Sequence, residues 1–446
     1  MTPALIVPDQ SAWTMWGHEP AQLGLALAES PERARQLVVP DPVPAALAEA
    51  VRDAWSRMPA PRSYVAWPRA MDGVPAGELL GEEAGHGEEH GGDGEHGGDE
   101  EHGGHDMMAI VGDPSADGLV MEPIDFELGP LATGLPGGLV LGLSLDGDVV
   151  GRCAPRATLA LSLGPIAGGA YGDPLAPVAW TTAIAKALEH AGERAPSEAT
   201  TRLRIAAVEA ERALSHMCWL RGFGYVLGWA QLSEQAHDGV VALMAPRLRL
   251  QEAAARLEPA GPDRDGLLAQ VAAAAGAVER VRRLLDGSRR LRARTRGRAE
   301  VPAERIAATA VGGPVARAAG LPRDARAADP AYSALDFTAA TLEAGDAEAR
   351  TLLRAAEAVS ALELVRTALA QEGSPDAGRP NAPAEAVVEG PRGPVRAWHE
   401  GGRLRVGAPG QAELLELAGE AVLGLEVGRA LAGLASFDLS GWAVSA

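Results

Sequence analysis

Glu209-Ala210-Glu211-Arg212-Ala213-Leu214-Ser215-His216 lies inside a long run of helical periodicity, and its charged residues recur at spacings of three and four. Such spacings bring side chains together on one helical face. Here Glu209, Arg212 and His216 share a face. The segment reads as part of a core helix. The surrounding sequence supports that: residues 176–300 are rich in Ala, Leu and Arg with few breakers, and Pro/Gly punctuation falls near 258–266. Two segments, about 198–232 and 262–298, read as antiparallel helices of a bundle. A Pro/Gly-rich stretch at 312–330 interrupts them, and a further helix is expected over about 346–371. A flexible connection follows at 372–384. Residues 385–446 read as two or three short strands and a helix at about 411–433.

Upstream the period changes. Leu139-Val140-Leu141-Gly142-Leu143-Ser144-Leu145, then Asp146-Gly147-Asp148 and Val149-Val150, is a strand, tight turn, strand signal. The expected fold class is therefore α+β: a central long-helix bundle (156–371), a β-rich N-terminal domain (107–155) and a small C-terminal strand–helix element (385–446). Before that body, residues 1–80 form a small N-terminal region with helix expected at 43–57, and its Pro-rich spacing suggests loose packing. Residues 81–106 read as a disordered linker of Gly, His and acidic residues that has almost nothing to bury. It holds five of the ten histidines: His86, His90, His96, His102 and His105. Imidazoles flanked by carboxylates suit a divalent metal, so a flexible chelator and a plain solvated linker are both open.

The net charge of −20 excludes a nucleic-acid binder with a basic face, and ten acidic residues within 82–106 account for half of it. The only two cysteines, Cys153 and Cys218, form neither a disulfide framework nor a CxxC metal motif. No basic n-region followed by an apolar h-region opens the chain, and no run of about 18 apolar residues occurs. A cytoplasmic protein is expected.

Five segments in order carry a resemblance: Leu145 to Val150; Glu209 to His216; Gly313-Pro314 with Arg317, Gly320, Asp324, Arg326, Pro330 and Tyr332; Gly345-Asp346 with Arg350, Arg354 and Glu357; and Glu389-Gly390-Pro391-Arg392-Gly393 followed by Asp438. Together they resemble the superfamily of nickel–iron hydrogenase large subunits and the hydrogenase-like, quinone-site subunit of respiratory complex I, over roughly 120–446. The departures matter as much. Nickel there needs four thiolates from two paired motifs, whereas the C-terminal pair falls here at Ser440 and about Ala443, and Cys153 has no partner. No nickel–iron centre is expected. The loop that carries quinone-binding histidines in complex I aligns with Leu131-Ala132-Thr133-Gly134-Leu135-Pro136, placing Ala132 and Pro136 at the histidine positions. The family's next charged segment falls at Leu161-Ser162-Leu163-Gly164-Pro165.

The resemblance implies roles for named residues. Arg392, Asp438 and Glu389 stand at the buried centre, and Arg392 projects into the cavity or locks the C-terminal strand through Glu389 or Asp438. Leu131, Ala132, Pro136, Arg317, Asp324 and Arg326 frame a cavity that takes quinone, if any ligand enters. Glu209, Arg212 and His216 form a proton path or simply join helices. The chain itself is expected to hold no cofactor. An iron–sulfur cluster sits in a small partner subunit, beside a protein like the C subunit of complex I and membrane ion-translocating subunits. The complex would bind quinone and NAD, with this chain peripheral on the inner face of the cell membrane. It is at most one subunit of an NADH-quinone oxidoreductase-like or hydrogenase-related enzyme; the alternatives are a catalytically silent structural subunit or a metal-binding accessory protein.

Overall fold

The computed structural model describes residues 1–69, 72–81, 123–161, 176–192, 196–255, 263–371, 385–400 and 403–444. The tract at 82–106 with its five histidines, the segment 162–165 and the connection 372–384 lie outside the described residues.

The N-terminal region is not loosely packed. Strands Leu25–Leu27, Thr2–Ile6, Gln36–Asp41 and Ser63–Pro68 lie side by side in that order, and every pairing is parallel. Strands buried on both faces read as continuous apolar runs rather than alternating ones, as in Ala4-Leu5-Ile6-Val7 and Leu37-Val38-Val39. The helix Ala48–Arg57 packs on this sheet, burying its own Val51 together with Leu37, Val39 and Leu47.

In the body, strands Ile124–Leu128, Leu139–Asp146 and Val149–Ala157 form an antiparallel sheet around the expected hairpin. The central helix Glu198–Val226 begins at Ser197, whose side chain accepts the Thr200 amide. Its middle is buried on every face, so no amphipathic stripe marks where it ends. The expected 198–232 helix stops at Val226. After a reversal around Gly228, a second long helix, Ala230–Ala255, packs back along it. Likewise 262–298 resolves into Arg264–Leu285 and a short Arg289–Thr295 helix. Ala347–Ala370 crosses the central helix, and its N-cap Asp346 accepts the Ala349 amide. The C-terminal part is an antiparallel sheet of Glu385–Gly390, Gly393–Glu400 and Arg403–Gly407, then two helices, Gln411–Glu420 and Val427–Ser436, where the sequence suggests one.

The chain's last described strand ties these parts together. Trp442–Val444 pairs in parallel with Leu159–Leu161, and both Leu159 and Trp442 enter the core of the N-terminal sheet. In exchange, Ala12 and Met15 from the N-terminal region enter the core of the body. Backbones cross closely at this junction. A Cβ on Gly137 would lie 2.2 Å from the Pro8 carbonyl oxygen, and one on Gly441 would lie 2.0 Å from that of Gly137. Gly137→Ala must therefore displace backbone and is expected to cost about 1–3 kcal/mol or more. Gly276, exposed in mid-helix with open space around it, is the control. Gly276→Ala is expected to stabilise by about 0.5–1 kcal/mol, so urea denaturation of the two variants should shift in opposite directions.

Candidate functional site

Two buried constructions meet at the C-terminal sheet, and the first is a lattice of charges. Arg317, fully buried, donates from Nε to Glu357 Oε1 at 2.7 Å and from Nη1 to Glu389 Oε1 at 2.8 Å, with Asp324 Oδ2 3.1 Å from Nη1. Arg326 grips Asp324 with two bonds of 2.9 and 2.7 Å and reaches Glu209 at 3.1 Å. Glu209 also accepts the Tyr332 hydroxyl at 2.7 Å and Arg212 Nε at 3.0 Å. Arg212 then donates to the backbone carbonyls of Gly390 at 2.9 Å and Glu389 at 2.6 Å. His216 Nε2 lies 3.1 Å from Glu357 Oε2. Thus the three residues on one helical face, Glu209, Arg212 and His216, join one connected lattice with Arg317, Asp324, Arg326, Glu357 and Glu389.

Electrostatics within the lattice are mutually supporting. Burial opposes ionisation of Glu357, yet Arg317 and His216 hold its carboxyl well below the ordinary value. Burial likewise opposes ionisation of Glu209, and Arg212, Arg326 and the Tyr332 hydrogen bond outweigh it. Glu389 goes the other way: burial pushes its carboxyl up, with Arg317 only partly offsetting. Burial pushes the His216 imidazole down against the pull of Glu357.

The second construction is a cavity of about 240 Å³ where the N-terminal region, the 131–136 loop, the central helix and the chain's end converge. Leu131, Ala132 and Pro136 line it, as do Arg392 and Asp438, so those five predicted residues are brought together. Arg317, Asp324, Arg326 and Glu389, also expected at the cavity or its centre, do not line it and belong to the lattice instead. The reason is that Glu389 lies within its strand while Arg392 lies in the tight turn that follows it. Glu389 is drawn inward by Arg317, while Arg392 Nε lies 3.3 Å from Asp438 Oδ1. Gly313 fixes this turn from behind: a Cβ there would lie 2.3 Å from the Arg392 carbonyl oxygen. Asp438 itself has a positive φ of 57°, a conformation that aspartate tolerates better than most residues.

Several lining residues escape the sequence reading. Asp9 follows the first parallel strand, accepts the amides of Ala12 at 2.9 Å and Gly137 at 2.8 Å, and has its carboxyl pushed up by burial. The carboxyl end of a strand in a parallel sheet is a recurrent ligand position, so recognising that sheet would have pointed to Asp9. Trp219 stacks on Phe223 with ring centroids 4.7 Å apart, and Arg221 pairs with buried Glu19 at 3.1 Å. Leu27 and Tyr225, 39% and 41% exposed, also line the cavity and mark its opening to solvent.

The donor set does not suit nickel. Ser440 Oγ accepts the Trp442 amide at 3.1 Å, and Ala443 sits in a strand opposite Ala160. Burial raises the thiol of Cys218 to about 12 and that of Cys153 to about 11, so neither is a thiolate near neutrality. Among the described residues, no three His, Cys, Asp or Glu are grouped to hold a metal ion, and no helix is long and apolar enough to cross a membrane. The histidine tract is outside the described residues.

The model of a family described as "Respiratory-chain NADH dehydrogenase, 49 Kd subunit" matches residues 265–392. Among solved structures, a chain of the membrane-bound sulfane sulfur reductase, an archaeal respiratory membrane complex, aligns with a TM-score of 0.57 at 21% identity. The alignment covers 72% of this chain and 97% of that one. No curated protein matches the chain. The α+β class and the resemblance to the hydrogenase and complex I large-subunit superfamily are borne out. The family match spans Arg317, Asp324, Arg326, Glu357, Glu389 and Arg392, whereas the 131–136 loop and Asp438 lie beyond it.

Removing one member of a buried ion pair leaves an uncompensated charge and costs about 3–5 kcal/mol. Arg317→Met is expected to lose that much in urea denaturation. Glu357 sets a pH dependence as well. Its folded pKa is lowered, so its stabilisation is present above the unfolded value of 4.5 and lost as pH falls toward the folded one. Between pH 6 and pH 3 the wild type should lose stability more steeply than Glu357→Gln.

Proposed function

We propose that this chain is the large, hydrogenase-like subunit of a membrane-associated respiratory redox complex. Its cavity takes a small ligand with an apolar ring, of the quinone class. The observation that carries this is the cavity itself: it opens beside Leu27 and Tyr225 and ends on Arg392 and Asp438, within a fold like that of a subunit from a respiratory membrane complex. Its walls are mainly apolar, with Asp9, Arg221, Arg392 and Asp438 as the charged groups, the usual make-up of a small-molecule site. Its volume exceeds the ~150 Å³ that already holds a benzene ring.

In this reading the chain's own groups bind and orient. The Arg392 guanidinium, fixed by Asp438, presents a donor fork to a headgroup oxygen. The side chains of Leu131, Leu135, Pro136 and Phe223 exclude water from the ring. Electrons arrive from an iron–sulfur small subunit. A protein like the C subunit of complex I and ion-translocating membrane subunits complete the assembly and hold this chain at the inner face of the membrane. Coupling to the membrane arm runs through the lattice joining Glu209 and Arg212 to Glu389.

A second reading, a catalytically silent scaffold, is favoured by one specific feature: Ala132 and Pro136 stand where complex I carries its quinone-binding histidines. Two variants separate the readings in the purified complex. Ala132→Trp should fill the cavity, and Arg392→Ala should remove its donor. On the ligand reading each lowers quinone reduction at least ten-fold while the complex stays assembled. Full activity in both would leave the scaffold reading.

A further inference from the structure

Among the described residues, two carboxyl side chains line the cavity, Asp9 and Asp438, and they are held in different ways. Asp438 already faces guanidiniums: Oδ1 lies 3.3 Å from Arg392 Nε and Oδ2 lies 3.9 Å from Arg354 Nε. Asp9, just beyond the first parallel strand, is gripped by backbone. Its Oδ1 accepts the Ala12 amide at 2.9 Å, its Oδ2 the Gly137 amide at 2.8 Å, and the Ser11 amide bonds it too. Ala12 belongs to the N-terminal region and Gly137 follows the 131–136 loop, so two walls of the cavity are pinned to one carboxyl group. With an amide on each oxygen the group cannot turn freely, yet each oxygen keeps capacity for a further partner. Asp9 is half-buried, and it lines the space where a ligand would sit.

The forces on the Asp9 proton oppose one another. Burial pushes the carboxyl up, the amides and the charge of Arg392 pull it back, and burial prevails. A carboxyl group drawn toward its neutral form, with amides in place to hold its anion, is suited to giving up a proton. Other polar groups on the wall are not. Arg221 and Arg392 keep their protons. Burial raises the Cys218 thiol to about 12 and pushes the Tyr225 hydroxyl up, and Tyr225 stands at the mouth. The serine hydroxyls are weaker acids still.

We propose that Asp9 is the catalytic acid of the cavity, giving its proton to the inner oxygen of a bound quinone as the ring is reduced. This rests on the reading of the cavity as a quinone-class site. Reduction adds two electrons, from the iron–sulfur donor, and two protons, one to each ring oxygen. At the inner oxygen the Asp9 O–H bond breaks as the new O–H bond forms. The carboxylate left behind is held by the Ala12 and Gly137 amides and by the charge of Arg392. The outer oxygen takes its proton from water at the mouth beside Leu27 and Tyr225. Water recharges Asp9 once the hydroquinone has left.

The test uses the purified complex, its iron–sulfur clusters reduced with dithionite and the excess removed. 1,4-Naphthoquinone is then mixed in, and cluster reoxidation is followed by stopped-flow absorbance from pH 5 to pH 9. Binding of the same probe to the oxidised complex is measured by isothermal titration calorimetry. Only the neutral carboxyl donates, so wild-type reoxidation should slow as pH rises through the raised value of Asp9. D9N should bind the probe much as the wild type does, reoxidise at least about ten-fold more slowly at the acid end, and lose the pH dependence. Charged and titratable groups facing Asp9 are Arg392 and Asp438 near the chain's end and Arg221 and Cys218 on the central helix. A pH dependence that persists in D438N and vanishes in D9N therefore belongs to Asp9; the reverse pattern overturns the proposal. Wild-type rates in D9N overturn it and leave the cavity reading intact. An assembled D9N that no longer binds the probe shows that Asp9 only holds the wall, and overturns it too. Neither binding nor reoxidation in the wild type overturns the cavity reading, and this proposal with it. If D9N does not assemble, the wild type decides: slowing with pH and in deuterium oxide supports the proposal, and a flat rate overturns it.

Discussion

Burying the Arg317 guanidinium completely is the condition from which the rest of this structure follows. A charge so placed must be met by anions of fixed geometry. The chain meets it from three places: Asp324 in a loop, Glu357 on the Ala347–Ala370 helix and Glu389 on the Glu385–Gly390 strand. Each of these is itself tied to the central helix, through Arg326 and Glu209, through His216, and through Arg212 to the strand's carbonyls. Strand, loop and both helices are thereby locked in register. Arg392, three residues beyond Glu389, takes its place at the cavity as a consequence.

The cavity also depends on the N-terminal region. Asp9 holds Gly137, the Gly137–Gly441 crossing holds the chain's end, and residues 5–15 supply one wall. The cavity is therefore composite, formed between a parallel sheet and the hydrogenase-like body. It lies beside the turn at Asp438 and Leu439. That turn sets Asp438 3.3 Å from Arg392 Nε and 3.9 Å from Arg354 Nε.

Much of this is legible in the sequence. The spacing of Glu209, Arg212 and His216 predicts one face, and the order of the Gly/Arg/Asp segments carries the family resemblance. The 131–136 loop, Arg392 and Asp438 are expected around one cavity and share it. Other features are hidden for physical reasons. A fully buried helix has no polar stripe, so the break between Val226 and Ala230 leaves no periodic signature. The short strands of the N-terminal sheet, punctuated by Pro8, Pro40 and Pro42, resemble loop sequence although Leu37 and Val39 are wholly buried. With the sheet unseen, Asp9 has no context. Arg317, Asp324 and Arg326 are expected at the cavity because the resemblance frames it with their loop, and spacing does not reveal which of several arginines will find a carboxylate first.

Hydrogen–deuterium exchange on wild type and Arg212→Met tests most directly whether the lattice holds the cavity in place. Among the described residues, Arg212 hydrogen-bonds to the C-terminal sheet through the Glu389 and Gly390 carbonyls. Removing it should raise exchange in peptides covering 386–395 and 434–440 while leaving the N-terminal sheet and the Arg264–Leu285 helix protected. Unchanged protection across 386–395 would contradict the account, because the strand bearing Arg392 would then be held by something other than the buried charges.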